Sequence, residues 1–336
     1  MHPTLRRLAT LLVALVLVGT GAAQRTLTIA QTVDIPGFDP HDHGLTAVEA
    51  VLTNIFDYLM FRDADGTIQP ALATGYEQGD DLTWRFTLRD DVVWHDGEPF
   101  TGEDVKFSFE RVAQDDTLFE HDSFRQITEV EVVGPHEILI RTEGPDPVLL
   151  SRISRKGAAI VPGHVIEAIG WEGFSVAPVG TGPFRFVEWT RDDRVVFEAD
   201  PDHWRGAPAW DRLVFRAVPE DATRIGELLT GAVDIAVNVP SQDVERIREA
   251  QGVAVLSQPT TRIMMLLFNT ADGKPTSDPR VREALELAID KELLVEVVAD
   301  GFGVPVGARV SPGVNAAPMK YYDQNAYDPE RAVALL

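Results

Sequence analysis

The chain has 336 residues, with 53 acidic and 30 basic side chains, and its formal net charge is −23 at neutral pH. This charge argues against nucleic acid and anionic membranes as partners, because long-range repulsion opposes both, and we assign the acidity itself to solubility. The chain has no cysteine, which excludes disulfides and attachment of a lipid to a thiol, and its length predicts about two lobes.

The N-terminus has the pattern of a secretory signal peptide. Arg6 and Arg7 precede an apolar run at residues 8–18, and small residues follow at 19–23. The apolar run has the length of a signal peptide and is too short to cross a membrane. We expect cleavage after Ala23 and a mature protein that is soluble outside the cytoplasmic membrane, and an uncleaved anchor is the alternative.

A first strand at residues 25–33 is followed by a loop rich in proline, glycine and aspartate at 34–44 and by a helix at 46–61. The loop contains His41 and His43 on either side of an aspartate, which invites comparison with a metal site. Three adjacent residues rarely present a compact ligand set. We therefore predict no metal site and interpret the loop as solvated or as the lining of a cleft.

The stretch at residues 70–112 predicts a strand, a tight turn and a capped helix. Apolar and polar side chains alternate from residue 82 to 89, as in a half-buried strand. Thr101 and Asp104 have the spacing of a capping box. The apolar face of the helix is formed by Val105, Phe109 and Val112.

Two hairpins are predicted further along, at residues 129–142 and 184–198. The Gly-Thr-Gly-Pro turn at residues 180–183 lacks the spacing of a phosphate loop, so we predict no nucleotide site there. His95 next to Asp96 suggests a catalytic base, but the sequence identifies no nucleophile for it. We interpret this pair as part of a turn.

Residues 212–258 predict three strands separated by two helices, the first capped by Asp221 and ended by Gly231. This order implies a parallel sheet with right-handed crossovers. Ligands of open α/β sheets lie beyond the carboxyl ends of the strands, which places Asn238 at the edge of a cleft. A further apolar strand is predicted at 263–268.

The stretch at residues 70–112 closely resembles the signature region of the family-5 extracytoplasmic solute-binding proteins, the peptide, nickel and opine binding subunits of ABC importers. Residues 180–184 are similar to the family's GTGP turn, Phe268-Asn269 to its FN pair, and residues 327–336 to its YDPE helix. The resemblance covers residues 25–336 but only the front part of a family member. We therefore expect a fragment or a truncated gene product.

The resemblance implies an α/β fold of two lobes, like the type II, cluster C periplasmic binding proteins. After a signal peptide at 1–23, residues 24–258 would form the first lobe, with a small α+β accessory domain inserted at about 45–175. Residues 259–336 would begin a second lobe that stays incomplete.

The function implied is that of the substrate-binding component of an ABC importer, periplasmic and without enzymatic activity or cofactor. Its solute would be a peptide or similar small oligomer, with a nickel complex, an opine or an oligosaccharide as alternatives, and its partners the importer's permease and ATPase subunits. A secreted hydrolase that uses one of the acidic pairs or His95 is the alternative of another class. The residues predicted to line the ligand cleft are Asp34, Phe38, Asp39, His43, Asn238, Phe268 and Asn269.

Overall fold

The computed structural model describes residues 24–310 and 327–336. The predicted signal peptide lies outside these residues. The chain divides into two compact units, of which the first comprises residues 24–28 with Asp34–Arg216 and the second comprises Ile29–Val33 with Ala217–Leu336. In the described parts of the chain, no helix is long and apolar enough to cross a membrane.

Strand β1 (Thr26–Gln31) starts in the first unit and ends in the second. The other strands of the first unit are β2 (Met60–Arg62), β3 (Ile68–Pro70), β4 (Ala73–Asp80), β5 (Thr83–Leu88), β6 (Ile127–Gly134), β7 (Glu137–Thr142), β8 (Phe184–Thr190), β9 (Arg194–Ala199) and β10 (Arg212–Ala217, whose last residue is in the second unit). Its helices are α1 (Thr46–Leu52), α2 (Gly102–Gln114), α3 (His121–Phe124), α4 (Leu149–Arg152) and α5 (Gly163–Phe174).

The second unit contains strand β11 (Ile235–Ala236), and its helices are α6 (Asp221–Thr230), α7 (Val244–Arg248), α8 (Pro279–Leu287), α9 (Lys291–Val298) and α10 (Pro329–Leu335). Short 3₁₀ turns precede α7 and α8.

The predicted strand, turn and helix of residues 70–112 form the centre of the first unit. Strands β4, β5, β7 and β6 make an antiparallel sheet in that order, and α2 packs against it. The inward side chains of β5 are Trp84, Phe86 and Leu88, all buried. Val105, Phe109 and Val112 of α2 are wholly buried in the same core, which confirms the predicted helix face.

The predicted capping box is also present. The Thr101 backbone N–H donates to the Asp104 carboxylate at 2.9 Å, and the Trp94 indole N–H donates to the same oxygen at 3.4 Å. Burial raises the pKa of Asp104, although these hydrogen bonds act in the opposite direction. One carboxylate therefore starts α2 and holds the preceding turn against it.

The Gly-Thr-Gly-Pro turn packs on the chain that follows α1, at a distance only glycine allows. A Cβ atom on Gly180 would lie 1.8 Å from the Ile55 carbonyl oxygen, and one on Gly182 would lie 2.6 Å from the Ile55 carbonyl carbon. His95 holds the turn from the other side. Its backbone N–H donates to the Gly180 carbonyl at 2.9 Å, its Nδ1 accepts from the Gly180 N–H at 3.2 Å, and its Nε2 donates to the Gly182 carbonyl at 2.9 Å.

Strands β8, β9 and β10 form an antiparallel set, and the predicted hairpin at 184–198 is confirmed. In the second unit, the end of β1 pairs in parallel with β11. Helix α6 ends at Gly231, whose φ of 74° is the left-handed conformation predicted for a glycine stop. Its N-cap position is Glu220, however, and the Asp221 carboxylate accepts from Arg224 rather than capping the helix.

Two predicted strands are wrong for the described residues. Residues 253–256 and 263–268 have no strand pairing, and Met264 and Leu267 are more than four-fifths exposed. β10 pairs antiparallel with β9, a strand outside the predicted order of residues 212–258, whereas β11 of that order pairs in parallel with β1. The apolar pattern at 263–268 fits a strand, but a strand also needs a partner to supply its ladder of hydrogen bonds. The described part of the chain offers it none.

We expect Gly180→Ala to lower the free energy of unfolding by about 3 kcal/mol, because the added methyl group overlaps the Ile55 carbonyl and the turn has to shift. Urea denaturation followed by circular dichroism measures this change. The matched control is Gly75→Ala in β4, where no atom lies within 4 Å of the new methyl group. Equal stabilities of the two variants would contradict the close approach.

Candidate functional site

The predicted ligand loop at residues 34–43 begins with a carboxylate that holds the β8–β9 turn. Asp34 accepts from the Trp189 indole N–H at 3.0 Å and from the Asp192 backbone N–H at 2.9 Å. Asp192 has a φ of 58°, and its bond to Asp34 ties this left-handed residue to the loop. Asp34 therefore fixes where the loop leaves β1.

Phe38 is wholly buried. Its ring makes edge-to-face contacts with Phe186, Trp189 and Phe197, with ring centroids 5.2–6.2 Å apart. Aromatic pairs in this geometry add to the free energy gained by burial. The Phe38 side chain anchors the loop in the core and leaves no surface of its own for a solute.

Asp39 belongs to a network around Arg111 of α2. The guanidinium donates to both Asp39 carboxylate oxygens, at 2.9 and 2.6 Å, and to His41 Nδ1 at 2.9 Å. It also stacks on the Trp171 ring, 3.3 Å from the centroid. Burial by itself would raise the pKa of Asp39, but the hydrogen bonds and charge of Arg111 hold that pKa below its usual value.

His41 completes this network and is wholly buried. Its Nε2 donates to the Ala159 carbonyl at 3.0 Å, which leaves Nδ1 to accept from Arg111. Burial lowers the pKa of His41 to about 4. The imidazole is therefore neutral at physiological pH.

His43 is also buried, and its Nε2 lies 3.5 Å from the Glu49 carboxylate. Burial lowers the pKa of His43 and raises that of Glu49, which accepts from the Tyr58 hydroxyl at 2.6 Å. Of the two interpretations of the loop, the solvated one is thus wrong at His41 and His43, because both rings are buried. No group of three or more metal-ligating side chains is assembled within the described residues.

In the second unit, Asn238 follows β11 in a left-handed conformation with a φ of 55° and has an exposed side chain. Its carbonyl accepts from Arg224 at 2.9 Å. Arg224 is wholly buried and also donates to the carbonyls of Val218 and Val237. A buried guanidinium thus shapes the backbone at the carboxyl end of β11, where the sequence predicted a ligand edge.

Phe268 is half-buried, and Asn269 is exposed. Asn269 Oδ1 accepts from the Ala271 backbone N–H at 3.1 Å, and its carbonyl accepts from the Thr276 hydroxyl at 2.6 Å. Asn269 therefore shapes a turn, and within residues 24–310 and 327–336 its side-chain amide N–H groups have no acceptor.

The structure brings Asp34 and Phe38 together at Trp189, while Asp39 lies in the separate Arg111 network. The sequence reasoning missed the residues that organise these sites, Trp189, Arg111 and Arg224. Each acts on partners distant in sequence or on backbone carbonyls, so no local pattern identifies it.

Residues 67–336 match the family described as "Bacterial extracellular solute-binding proteins, family 5 Middle". The chain is 29% identical over 318 residues to the glutathione-binding protein GsiB of Salmonella typhimurium, and the match covers 94% of this chain and 61% of GsiB. The chain thus spans about three fifths of the length of the curated relatives it matches.

Two solved structures are similar at 28% identity. NikZ from Campylobacter jejuni, in complex with Ni(L-His), has a TM-score of 0.80, with 92% of this chain and 62% of NikZ covered. AgaA from A. tumefaciens R10, in complex with agropinic acid, has a TM-score of 0.77, with 93% of this chain and 63% of AgaA covered. These similarities confirm the predicted two-lobed α/β fold.

The neutral, buried His41 predicts that the protein loses stability on mild acidification. In the unfolded chain His41 takes up a proton near pH 6.5, whereas in the folded protein it does so only near pH 4. Between these values the unfolded state binds more protons, so stability falls as the pH falls, by up to about 3 kcal/mol for this residue.

Urea denaturation at several pH values between 7 and 4 measures this effect. We expect His41→Gln to be less stable at pH 7 but to lose less stability on acidification than the wild type. An unaltered pH slope in His41→Gln would contradict the assignment.

Proposed function

Because the chain belongs to the family-5 bacterial extracellular solute-binding proteins, we propose that the protein captures a small solute outside the cytoplasmic membrane and delivers it to an ABC importer. The observation that carries this proposal is the family match over residues 67–336. The proposed mechanism is closure of the lobes on the solute, with open and closed states that differ in affinity for the transporter. No bond in the solute is made or broken.

A peptide or similar small oligomer is the proposed solute class. The similarity to a glutathione-binding protein supports it, because glutathione is itself a short peptide. Nickel complexes and opines are the alternatives, in line with the ligands in the NikZ and AgaA structures, and an oligosaccharide is a further one. The proposed partners are the permease and ATPase subunits of the importer, which the protein would meet after cleavage of its signal peptide.

The proposed ligand-lining residues differ in how they would act. Asn238 and Asn269 have exposed side chains and would contact a solute directly. Asp34, Phe38, Asp39 and His43 would act by holding the backbone of the 34–43 loop, since their side chains are engaged with or packed against other residues of the first unit. A loop held in this way offers fixed backbone groups to a ligand without an ordering cost on binding.

The hydrolase alternative has little support from the geometry of His95. Its Nδ1 accepts from Gly180 and its Nε2 donates to Gly182, so both ring nitrogens are engaged with the backbone. Burial also lowers the pKa of His95. A catalytic base needs a nitrogen within reach of the proton it removes, and here neither nitrogen is available.

Native mass spectrometry of the gently purified full-length protein tests the proposal. We expect a bound solute of the mass of a short peptide, released intact on denaturation, and saturable binding of that solute in calorimetry. Recovery of cleaved peptide after incubation with the protein would favour the hydrolase. Failure of every peptide, nickel–histidine complex, opine and sugar to bind would overturn the proposed function.

We expect Asn238→Gly to weaken solute binding about tenfold while leaving the melting temperature nearly unchanged. Glycine keeps the left-handed backbone, so the variant removes only the side-chain hydrogen bonds. The matched control is Asp300→Gly, a second non-glycine residue of the same unit with positive φ. Undiminished affinity in Asn238→Gly would remove that side chain from the binding site.

A further inference from the structure

A shallow depression of about 170 Å³, open to solvent, lies at the surface of the first unit beside α4, lined by Val148, Ser151, Arg152 and Arg155. We call it the α4 pocket. Ser151 and Arg152 belong to α4, whereas Val148 precedes the helix and Arg155 follows it by three residues. A single water molecule needs only about 10–15 Å³ of such space, so the pocket has room for a group of several heavy atoms.

Both arginines of the α4 pocket are held in place by hydrogen bonds and ion pairs, and each has N–H groups that these contacts do not use. Arg152 donates through Nε to Asp146 at 3.2 Å and through Nη1 to the Ser123 carbonyl. Arg155 donates through Nη1 to the Ser123 hydroxyl at 3.1 Å, and its Nη2 lies 3.6 Å from Glu120. A guanidinium has five N–H donors. Within the described residues, Nη2 of Arg152 and Nε of Arg155 therefore have no protein acceptor.

The Ser151 hydroxyl is oriented in the same way. Its oxygen accepts from Arg62 Nη2 at 2.7 Å, and Arg62 is itself held by the Gly66 carbonyl at 2.7 Å. A hydroxyl that accepts a hydrogen bond still has its own hydrogen to donate. The pocket thus presents donors from a neutral and two cationic groups.

The surroundings of the α4 pocket are positively charged, whereas the chain as a whole is negatively charged. These surroundings hold four cations and three carboxylates, an excess of one positive charge. The cations are Arg62, Arg152, Arg155 and Lys156, and the carboxylates are Asp146, Glu120 and Glu49. The side chains of Asp146 and Glu120 are only 2% exposed, whereas that of Arg155 is 41% exposed. On a chain of net charge −23, this surface attracts anions.

We propose that the α4 pocket binds an oxyanion, a carboxylate or a phosphate, carried on an apolar stem. Arg152, Arg155 and Ser151 would donate to the anion, because charge-assisted bonds from guanidinium to carboxylate or phosphate are short and strong. Val148, which is 53% exposed, would pack against the stem. This site lies wholly within the first unit and does not depend on the solute under the proposed function.

Isothermal titration calorimetry of the full-length protein tests the site, with inorganic phosphate, acetate and butyrate as probes and with ionic strength held constant by sodium chloride. We expect saturable binding of phosphate or of the carboxylates, and tighter binding of butyrate than of acetate. Arg155→Gln should weaken the binding about tenfold, because it removes one charge-assisted bond. The variant should fold, because Arg155 lies at the surface. The melting temperature of the variant is measured before the titrations.

The matched control is Arg125→Gln. That side chain is 59% exposed, its ion-pair partner is Asp122 at 3.6 Å, and it does not line the pocket. Unchanged binding in Arg125→Gln together with loss in Arg155→Gln supports the site. Equal losses in both variants, or no saturable binding of any probe, would overturn it in favour of a general charge effect. Butyrate binding no tighter than acetate would overturn the part assigned to Val148.

Discussion

The close contact between the Gly-Thr-Gly-Pro turn and the chain after α1 is the constraint on which the first unit depends. Gly180 and Gly182 lie so close to the Ile55 backbone that neither position has room for a side chain. His95 holds the same turn through a hydrogen bond from its Nε2 to Gly182, 87 residues away in the sequence. The buried Asp57 carboxylate accepts from Thr181 at 3.2 Å and from an indole N–H of a later loop at 2.9 Å. A shift of any one of these segments would leave buried donors or acceptors in the others without partners. Unpaired buried polar groups cost free energy, so the segments are fixed together.

Several polar side chains that the sequence suggests as functional groups instead hold parts of the first unit in position. Asp34, Asp39 and His41 resemble reactive groups when read along the chain, yet each is committed to a partner within the first unit. The ion pair between Asp39 and Arg111 adds less to stability than its charges imply, but removing one partner is strongly destabilising. Their consequence is a rigid loop. A rigid loop suits recognition through backbone groups, because its shape does not have to be ordered when a solute arrives.

The second unit shows the limit of apolar pattern as a guide to structure. Met264 and Leu267 belong to a run that has the composition of a strand, and both are largely exposed in the described chain. α8 and α10, in contrast, bury Ala284, Leu287 and Ala332 against each other. A helix satisfies its own backbone hydrogen bonds and needs only a partner surface, whereas a strand needs a partner backbone in register.

The sequence by itself determined the features that depend on neighbours a few residues away. The alternation in β5, the capping box at Thr101 and Asp104, and the glycine stop at Gly231 are local, and all are present. Only the tertiary structure decided that Phe38 is core, that His41 is a neutral buried acceptor and that β10 pairs with β9 in antiparallel fashion. Those outcomes rest on contacts with residues up to about 160 positions distant, and side-chain burial there depends on which surfaces the folded chain brings together. The stretch at residues 70–112 identified the family, while the tertiary structure assigned its histidine to holding a distant turn.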